Sequence, residues 1–469
     1  MEMGSGDDER SGILARGWLL LKALPEKFKA KMVNFAVVTK KLGQDDPRRV
    51  IHSLKVGLAL SLVSLFYYFE TLFNSFGVYA MWAIMTVVVV FEFSVGATLG
   101  KGLNRAMATL VAGALGIGAH YMASISGNVG EPIILGIFVF FQAAVSTFIR
   151  FFPKIKARYD YGLLIFILTF ALVSVSGFRE DEILEFAHKR LATVVIGACA
   201  CVVVSIFVCP VWAGQDLHNL TSLNIEKLGT FLEGFGYRYF GATEDEEFKG
   251  NESFVHGYKS VLNSKTIEET LANFARWEPG HGRFMYRHPW KQYLKVGTLT
   301  RQCAYRIEAL NGFLSSDIQV QPEFARKIED TCTKMSLDSG KALKELALAV
   351  KTMTRPSSVD SHVANLKTST KNLRCLLKSG LGNETDLLKV IPVTTVASLL
   401  IDVAMSVEEI TASVNELASL AHFKQKAKDT NLTVEKRHEV VKSLAKVNAA
   451  DDVITVDLES ENSVPLRAS

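Results

Sequence analysis

Three basic side chains, Lys101, Arg105 and Arg190, and one acid, Glu92, stand in or beside long apolar runs. A charge at membrane depth is costly and needs a water-filled path or a partner. Guanidinium groups stay protonated at physiological pH and present planar N–H forks. If Arg105 and Arg190 point into one cavity they form a fixed positive constriction that attracts anions and repels cations. Lys101 adds a further positive charge to such an anion pore, and Glu92 is the available counter-charge. A plainer role is open to the same residues. Lys101 and Arg105 can serve as basic residues of an inner rim, and Arg190 can snorkel or pair with Glu182, Glu185 or Glu92.

A second group of interest is acidic: Glu180, Asp181, Glu182 and Glu185 crowd one connection between apolar runs. Carboxylates supply the oxygen ligands that hard cations need, although exposed acids are also simply solvated. His281 and His288 fall in a turn-rich aromatic stretch, and without ligand spacing they read as a structural corner before a metal site. The cysteines at 199, 201, 209, 303, 332 and 375 show neither metal spacing nor a disulfide framework. There is no Walker loop, GxSxG, His–Glu metal pair or nucleotide fingerprint, so the chain reads as neither an enzyme nor an ATP-driven pump, with no cofactor. The formal charge is only +4, and no basic run accompanies it, which sets nucleic acid aside as a partner.

The elements that must hold these residues are helices. A helix of about 20 apolar residues spans a bilayer, and six candidates occupy 54–69, 78–95, 103–125, 133–149, 161–176 and 183–209. Taken over 183–209, the last is about 40 Å long at 1.5 Å per residue, which puts Arg190 about two turns in from one end. Basic residues beside spans stay on the cytosolic side. Lys27, Lys29, Lys31, Lys40, Lys41, Arg48 and Arg49 precede the first span, Lys101 and Arg105 sit in the second connection, and Arg150, Lys154, Lys156 and Arg158 in the fourth. The first and third connections carry no basic residue and the fifth is acidic, so both termini are expected in the cytosol, with the sequons at Asn219, Asn251, Asn383 and Asn431 unglycosylated.

Local signals fit this layout. Asp46-Pro47 suits an N-cap followed by proline at the first helical position, Glu131-Pro132 repeats it for the fourth span, and Pro210 closes the sixth. Gly96, Gly100, Gly113, Gly116 and Gly118 permit close backbone approach. Residues 1–50 form a cytosolic N-terminal segment, in which 18–35 alternates apolar and basic residues and reads as an interfacial or a plain cytosolic helix.

From residue 211 the chain is helical in pattern and not membrane-spanning. Val396, Leu400, Val403, Val407, Ile410, Val414 and Leu417 make a heptad seam, which suits a cytosolic helical bundle or a dimeric coiled coil. Leu299, Cys303, Ile307, Leu310 and Leu314 make a second stripe. Residues 425–469 read as a weakly ordered tail. The fold class is thus an all-α membrane protein, with a six-span domain over 51–210 and a cytosolic helical domain over 211–424.

Several motifs are more specific. Asp45-Asp46-Pro47-Arg48-Arg49, Thr86 to Phe93, Gly100-Lys101-Gly102-Leu103-Asn104-Arg105, Arg150-Phe151-Phe152-Pro153, Tyr159-Asp160-Tyr161-Gly162, Cys209 to Gly214, Trp277-Glu278-Pro279, Arg287-His288-Pro289-Trp290 and Arg301-Gln302-Cys303-Ala304 resemble the plant aluminium-activated malate transporters, a family of anion channels. The resemblance covers 45–424. It implies a homodimeric channel with six spans per subunit and a helical cytosolic domain, passing malate and inorganic anions down their gradient. It also implies that Arg105 and Arg190 line the pore, and that Asp181 and Glu185 could hold a regulatory aluminium ion. The family divides between plasma membrane and vacuole, and the plasma membrane is favoured here. A proton-coupled organic-anion carrier using Glu92 and a membrane scaffold acting through the cytosolic helices are the competing readings.

Overall fold

Asp46 breaks the chain between two helices. With extended dihedrals (φ −144°, ψ 95°) it turns its carboxylate onto the Arg48 N–H at 3.1 Å, and Pro47 fills the first helical position, where a missing N–H costs nothing. The expected cap is therefore present. The structure, a computed structural model, describes residues 26–69, 77–176, 183–240, 256–314, 322–356, 358–379 and 387–425. The tail, the first 25 residues and Asp181 lie outside them.

Helix α1 (Glu26–Asp45) precedes α2 (Pro47–Tyr68), and a short 3-10 turn (Gly77–Ala80) opens α3 (Met81–Val90). Then the structure departs from the expected spans. The apolar run 78–95 stays helical only to Val90; the chain is extended at Phe91, and α4 (Val95–Ser124) starts eight residues before the expected 103. The cause is polar. The Ser94 hydroxyl accepts the Ala97 N–H at 3.3 Å, and Thr98 Oγ1 accepts the Glu92 N–H at 3.0 Å, so 91–94 form a hydroxyl-fixed break that counting apolar residues overlooks. Glu92 thus sits in this break and not inside an apolar helix, while Lys101 and Arg105 lie two and three turns inside α4 and not in a loop.

A second departure follows at α5 (Gly127–Ile149). It begins ahead of Glu131-Pro132, with Gly127 in the left-handed region (φ 71°), so Pro132 lies inside the helix and leaves one carbonyl without its ladder donor. Helices α6 (Pro153–Ser176) and α7 (Ile183–Phe207) complete the apolar half. Helix α7 packs on α2, α3 and α4, and α4 packs on α6. Of the six apolar helices α2 to α7, five are long and apolar enough to cross a membrane and α3 is shorter. On α5, Ile137, Phe140, Phe141, Val145 and Phe148 are at least half exposed, a face suited to lipid.

The second half is a helical bundle: α8 (Ala213–Phe240), α9 (Lys265–Ala275), α10 (Trp290–Leu314), α11 (Pro322–Thr352), α12 (Val359–Ser379) and α13 (Leu387–Leu420). Among the described residues the only β pairing is two isolated bridges. The α13 seam, Val396 through Leu417 at heptad spacing, is at most 1% exposed and packs within this chain on α10, α11 and α12. Each such side chain contributes about 1.5–3 kcal/mol on burial. The seam is consumed inside one subunit, which favours the bundle over a coiled coil between subunits. In length and composition α13 also matches a membrane span, yet 56% of its apolar window is buried, against 11–44% for the long helices of the first half.

Candidate functional site

The two arginines are brought into one interior. Helices α4 and α7 run antiparallel, and a Cβ on Gly102 would meet the Ala198 Cβ at 3.5 Å, which sets their register. From that level Arg105 is three residues along α4 and Arg190 eight back along α7, an axial separation of about 7–8 Å at 1.5 Å per residue. Arg105 is 4% exposed and Arg190 2%. Among the described residues neither has a carboxylate partner, and Arg105 Nε, Arg190 Nε and Arg190 Nη1 are buried without an acceptor.

An aromatic ring covers one guanidinium and a tyrosine hydroxyl holds the other. The Arg190 guanidinium lies 3.9 Å from the Trp82 ring centroid, and Arg105 Nη1 donates to the Tyr161 hydroxyl at 3.1 Å. Both cations are buried within this chain, Arg190 beneath the Trp82 ring and Arg105 against the Tyr161 hydroxyl. Burying a cation without a counter-charge is destabilising, which makes these two side chains the candidates for contact with an external negative charge.

Lys101 is paired with Glu92, and its Nζ also lies 5.6 Å from the Tyr161 ring. Glu92, Lys101, Tyr161 and Arg105 thus form a continuous polar string along the bundle end of α4. Three members of this interior were not singled out from sequence: Lys55, Trp82 and Tyr161. Lys55 is 2% exposed and donates to the Cys209 carbonyl at 2.8 Å, a cation set on the end of α7. Its signal was available, since Lys55 is the single lysine or arginine in 54–100. Of the acidic pair, only Glu185 lies within the described residues. Glu185 is exposed and accepts from Lys189 at 2.5 Å, and Asp181 is outside the described residues.

The bundle grips the beginning of α4. Glu278, 6% exposed, accepts from the Ala213 N–H at 2.6 Å and the Gly214 N–H at 3.0 Å, and from the Gly96 N–H as well. One carboxylate therefore caps the N-termini of α8 and α4 together. Burial holds its pKa above the usual carboxylate range, while the three N–H groups pull it back. A side chain at Gly100 would strike the Trp277 ring at 2.9 Å, so Gly100 serves the contact with the bundle and not a helix pair. Gly116 packs on Val173 of α6, whereas Gly113 and Gly118 have open space around them. Arg48 adds a further tie, donating to both Asp216 oxygens at 3.0 and 3.2 Å.

His281 and His288 form part of an aromatic corner. His281 stacks on Trp212 with centroids 3.7 Å apart, and His288 lies against Phe284, Trp290 and Tyr293. The Tyr293 hydroxyl meets His218 Nδ1 at 2.9 Å and His288 Nε2 at 3.4 Å. Burial pushes the pKa of both His218 and His288 down to about 4. No group of three or more metal-ligating side chains occurs among the described residues.

These features define a polytopic helical membrane protein with a cationic interior, fastened to a helical bundle. A profile of the aluminium activated malate transporter family matches residues 40–383. The chain belongs to that family, one of membrane transporters. It is 61% identical over 392 residues to aluminum-activated malate transporter 2 of Arabidopsis thaliana, covering 83% of this chain and 78% of the relative. It is 53% identical to aluminum-activated malate transporter 7 of the same plant, over 88% of this chain and 87% of that one. To aluminum-activated malate transporter 1 of Triticum aestivum it is 47% identical, over 91% and 94%.

Proposed function

We propose that this chain is a passive channel for malate and inorganic anions across a plant cell membrane, working as a homodimer with both termini in the cytosol, at the plasma membrane. The observation that carries the reading is the pair of buried, carboxylate-free guanidiniums, Arg105 and Arg190, whose helix positions are offset by about 7–8 Å along the axes of α4 and α7. Guanidinium does not titrate in the physiological range, so the interior stays positive at every working pH and excludes cations. Malate is a dianion at neutral pH, and fixed N–H donors replace part of the hydration it loses on entry. The Trp82 ring covers the Arg190 guanidinium and the Tyr161 hydroxyl occupies an Arg105 N–H in this conformation, which we read as shut. Opening then means rotating or shifting those rings, and the Glu278 clamp gives the bundle a handle on α4.

Voltage clamp of the expressed protein, substituting malate, chloride and nitrate at two external pH values, tests this. Reversal potentials that follow the anion gradients and ignore pH are expected; a reversal that moves with pH would replace the channel by a proton-coupled carrier. External aluminium is the proposed modulator, acting at Asp181 and Glu185, and Glu185 would have to leave Lys189 to serve. Asp181→Asn with Glu185→Gln is expected to abolish aluminium stimulation and spare basal current. Stimulation retained in that double variant moves the sensor elsewhere.

A further inference from the structure

A cavity of about 360 Å³ lies where the bundle end of α4, the start of α6 and the loop after α9 converge, lined by Lys101, Asn104, Lys156, Arg158, Tyr161 and Trp277. It has room for about a dozen waters at ~30 Å³ each, enough for a four-carbon dicarboxylate with part of its hydration. Its charge is one-sided. Asp160, the acid on its wall, is taken by Arg150 at 2.7 and 3.2 Å, and Lys101 is shared with Glu92. Among the described residues Lys156 and Arg158, both exposed, have no salt-bridge partner, although Lys156 lies near enough to Asp160 to attract its charge.

Arg158 is also held in place. Its guanidinium lies 5.3 Å from the Tyr159 ring and 5.3 Å from the Trp277 ring, and its carbonyl accepts from Asn104 Nδ2 at 3.2 Å. A guanidinium near aromatic faces makes no hydrogen bond to them, so its N–H fork can bind a carboxylate with two parallel hydrogen bonds. Tyr161 is common to this cavity and the arginine interior, because its ring lines the one and its hydroxyl holds Arg105 in the other.

We infer that this cavity is the antechamber of the transport path, where a small organic dicarboxylate arriving from the bundle side is first bound by Arg158 and Lys156 before it passes Tyr161 to reach Arg105. This inference rests on the channel reading above and on its cytosolic placement of the bundle. The bundle contributes Trp277 to the wall, so a movement of the bundle would reshape the entrance directly.

Inside-out patches containing the full-length protein, with malate varied on the cytosolic face, test the assignment. Arg158→Gln is expected to raise the half-saturating cytosolic malate about tenfold, the loss of one charge-assisted bidentate contact. Current at saturating malate should fall less than twofold, and half-saturation by malate applied from the opposite face should not move. Arg158→Lys, which keeps the charge and loses the fork, is expected between the two. Lys156→Gln alters no contact with the bundle and gives an independent reading should Arg158→Gln fail to reach the membrane; it is expected to raise half-saturation about threefold, with both variants reading through the same entry site. Half-saturation unmoved within twofold in Lys156→Gln and in Arg158→Gln overturns the antechamber, as does a loss of maximal current at unchanged half-saturation. A wild-type reversal potential that tracks the proton gradient would instead overturn the channel reading, so the two failures are distinguishable.

Discussion

Neutralising Arg190 should change which anion is preferred more than it changes whether the protein reaches the membrane. In Arg190→Gln the interior loses one of its two fixed guanidinium charges, and the shorter amide still places a polar group on the Trp82 side. A monoanion in contact at about 4 Å loses about 1 kcal/mol of attraction at the dielectric of water and about 4 kcal/mol at an effective value of 20. A dicarboxylate loses the same for its near charge, and its second charge, about 8 Å away, adds about 0.5–2 kcal/mol between the same limits. That second contribution is the part that separates malate from chloride, and it corresponds to a fall of about two- to thirtyfold in their permeability ratio. Reversal potentials with malate on one side and chloride on the other measure the ratio directly, and surface labelling checks that the variant is present. A ratio unchanged within a factor of two, with channels open and at the surface, would refute the placement of Arg190 beside the permeating ion.

Three further expectations concern the covers, the clamp and the histidine corner. Trp82→Ala uncovers the Arg190 guanidinium and is expected to raise current severalfold at fixed voltage and anion concentration; equal or smaller current at equal surface density counts against a shut conformation held by this ring. Glu278→Gln leaves a single acceptor oxygen for the N–H groups of Ala213, Gly214 and Gly96, so at least one buried donor goes unsatisfied at about 1–3 kcal/mol, or about 2–12 °C in Tm for a bundle of this size. Thermal unfolding in detergent reads this out, and a shift under 1 °C removes the clamp from consideration. His218 and His288 are held neutral in the fold by burial, with pKa about 4 against an ordinary 6.5, so the unfolded chain takes up protons first as the pH falls. Their contribution is complete above pH 6.5 and lost progressively toward pH 4, up to about 3 kcal/mol each. The acid slope of stability should flatten in His218→Gln with His288→Gln, and an unaltered slope would assign it to other groups.

Much of the architecture was legible because apolar run length and heptad spacing report burial directly. The seam from Val396 to Leu417 and the cap at Asp46 are read from residue types alone, and the structure has both. The errors fall where a few polar side chains override the apolar average. Ser94 and Thr98 end one helix and start another inside a continuous hydrophobic stretch, which moved Lys101 and Arg105 from a loop onto a helix and Glu92 off one. Pro132 suggested a helix start, but the chain had already turned at Gly127. The covers over the arginines were invisible for another reason. Trp82 and Tyr161 reach Arg190 and Arg105 from other helices, and one sequence without tertiary contacts does not pair residues 108 and 56 positions apart.

Helix α13 sets the bilayer and the bundle in competition during synthesis. Its apolar stretch Val390–Leu420 satisfies the length and composition that membrane insertion selects, and it emerges from the ribosome after every other described helix. With the bundle in the cytosol as proposed, α10 and α11, its main partners, are made before it and can offer a groove to the Val396 to Leu417 seam. A chain whose α10–α11 groove forms too slowly would surrender α13 to the lipid, gaining an extra span and carrying everything beyond residue 425 to the opposite side. On the proposed topology, synthesis from the amino terminus with the most membrane-like bundle helix last would help to hold that helix out of the bilayer.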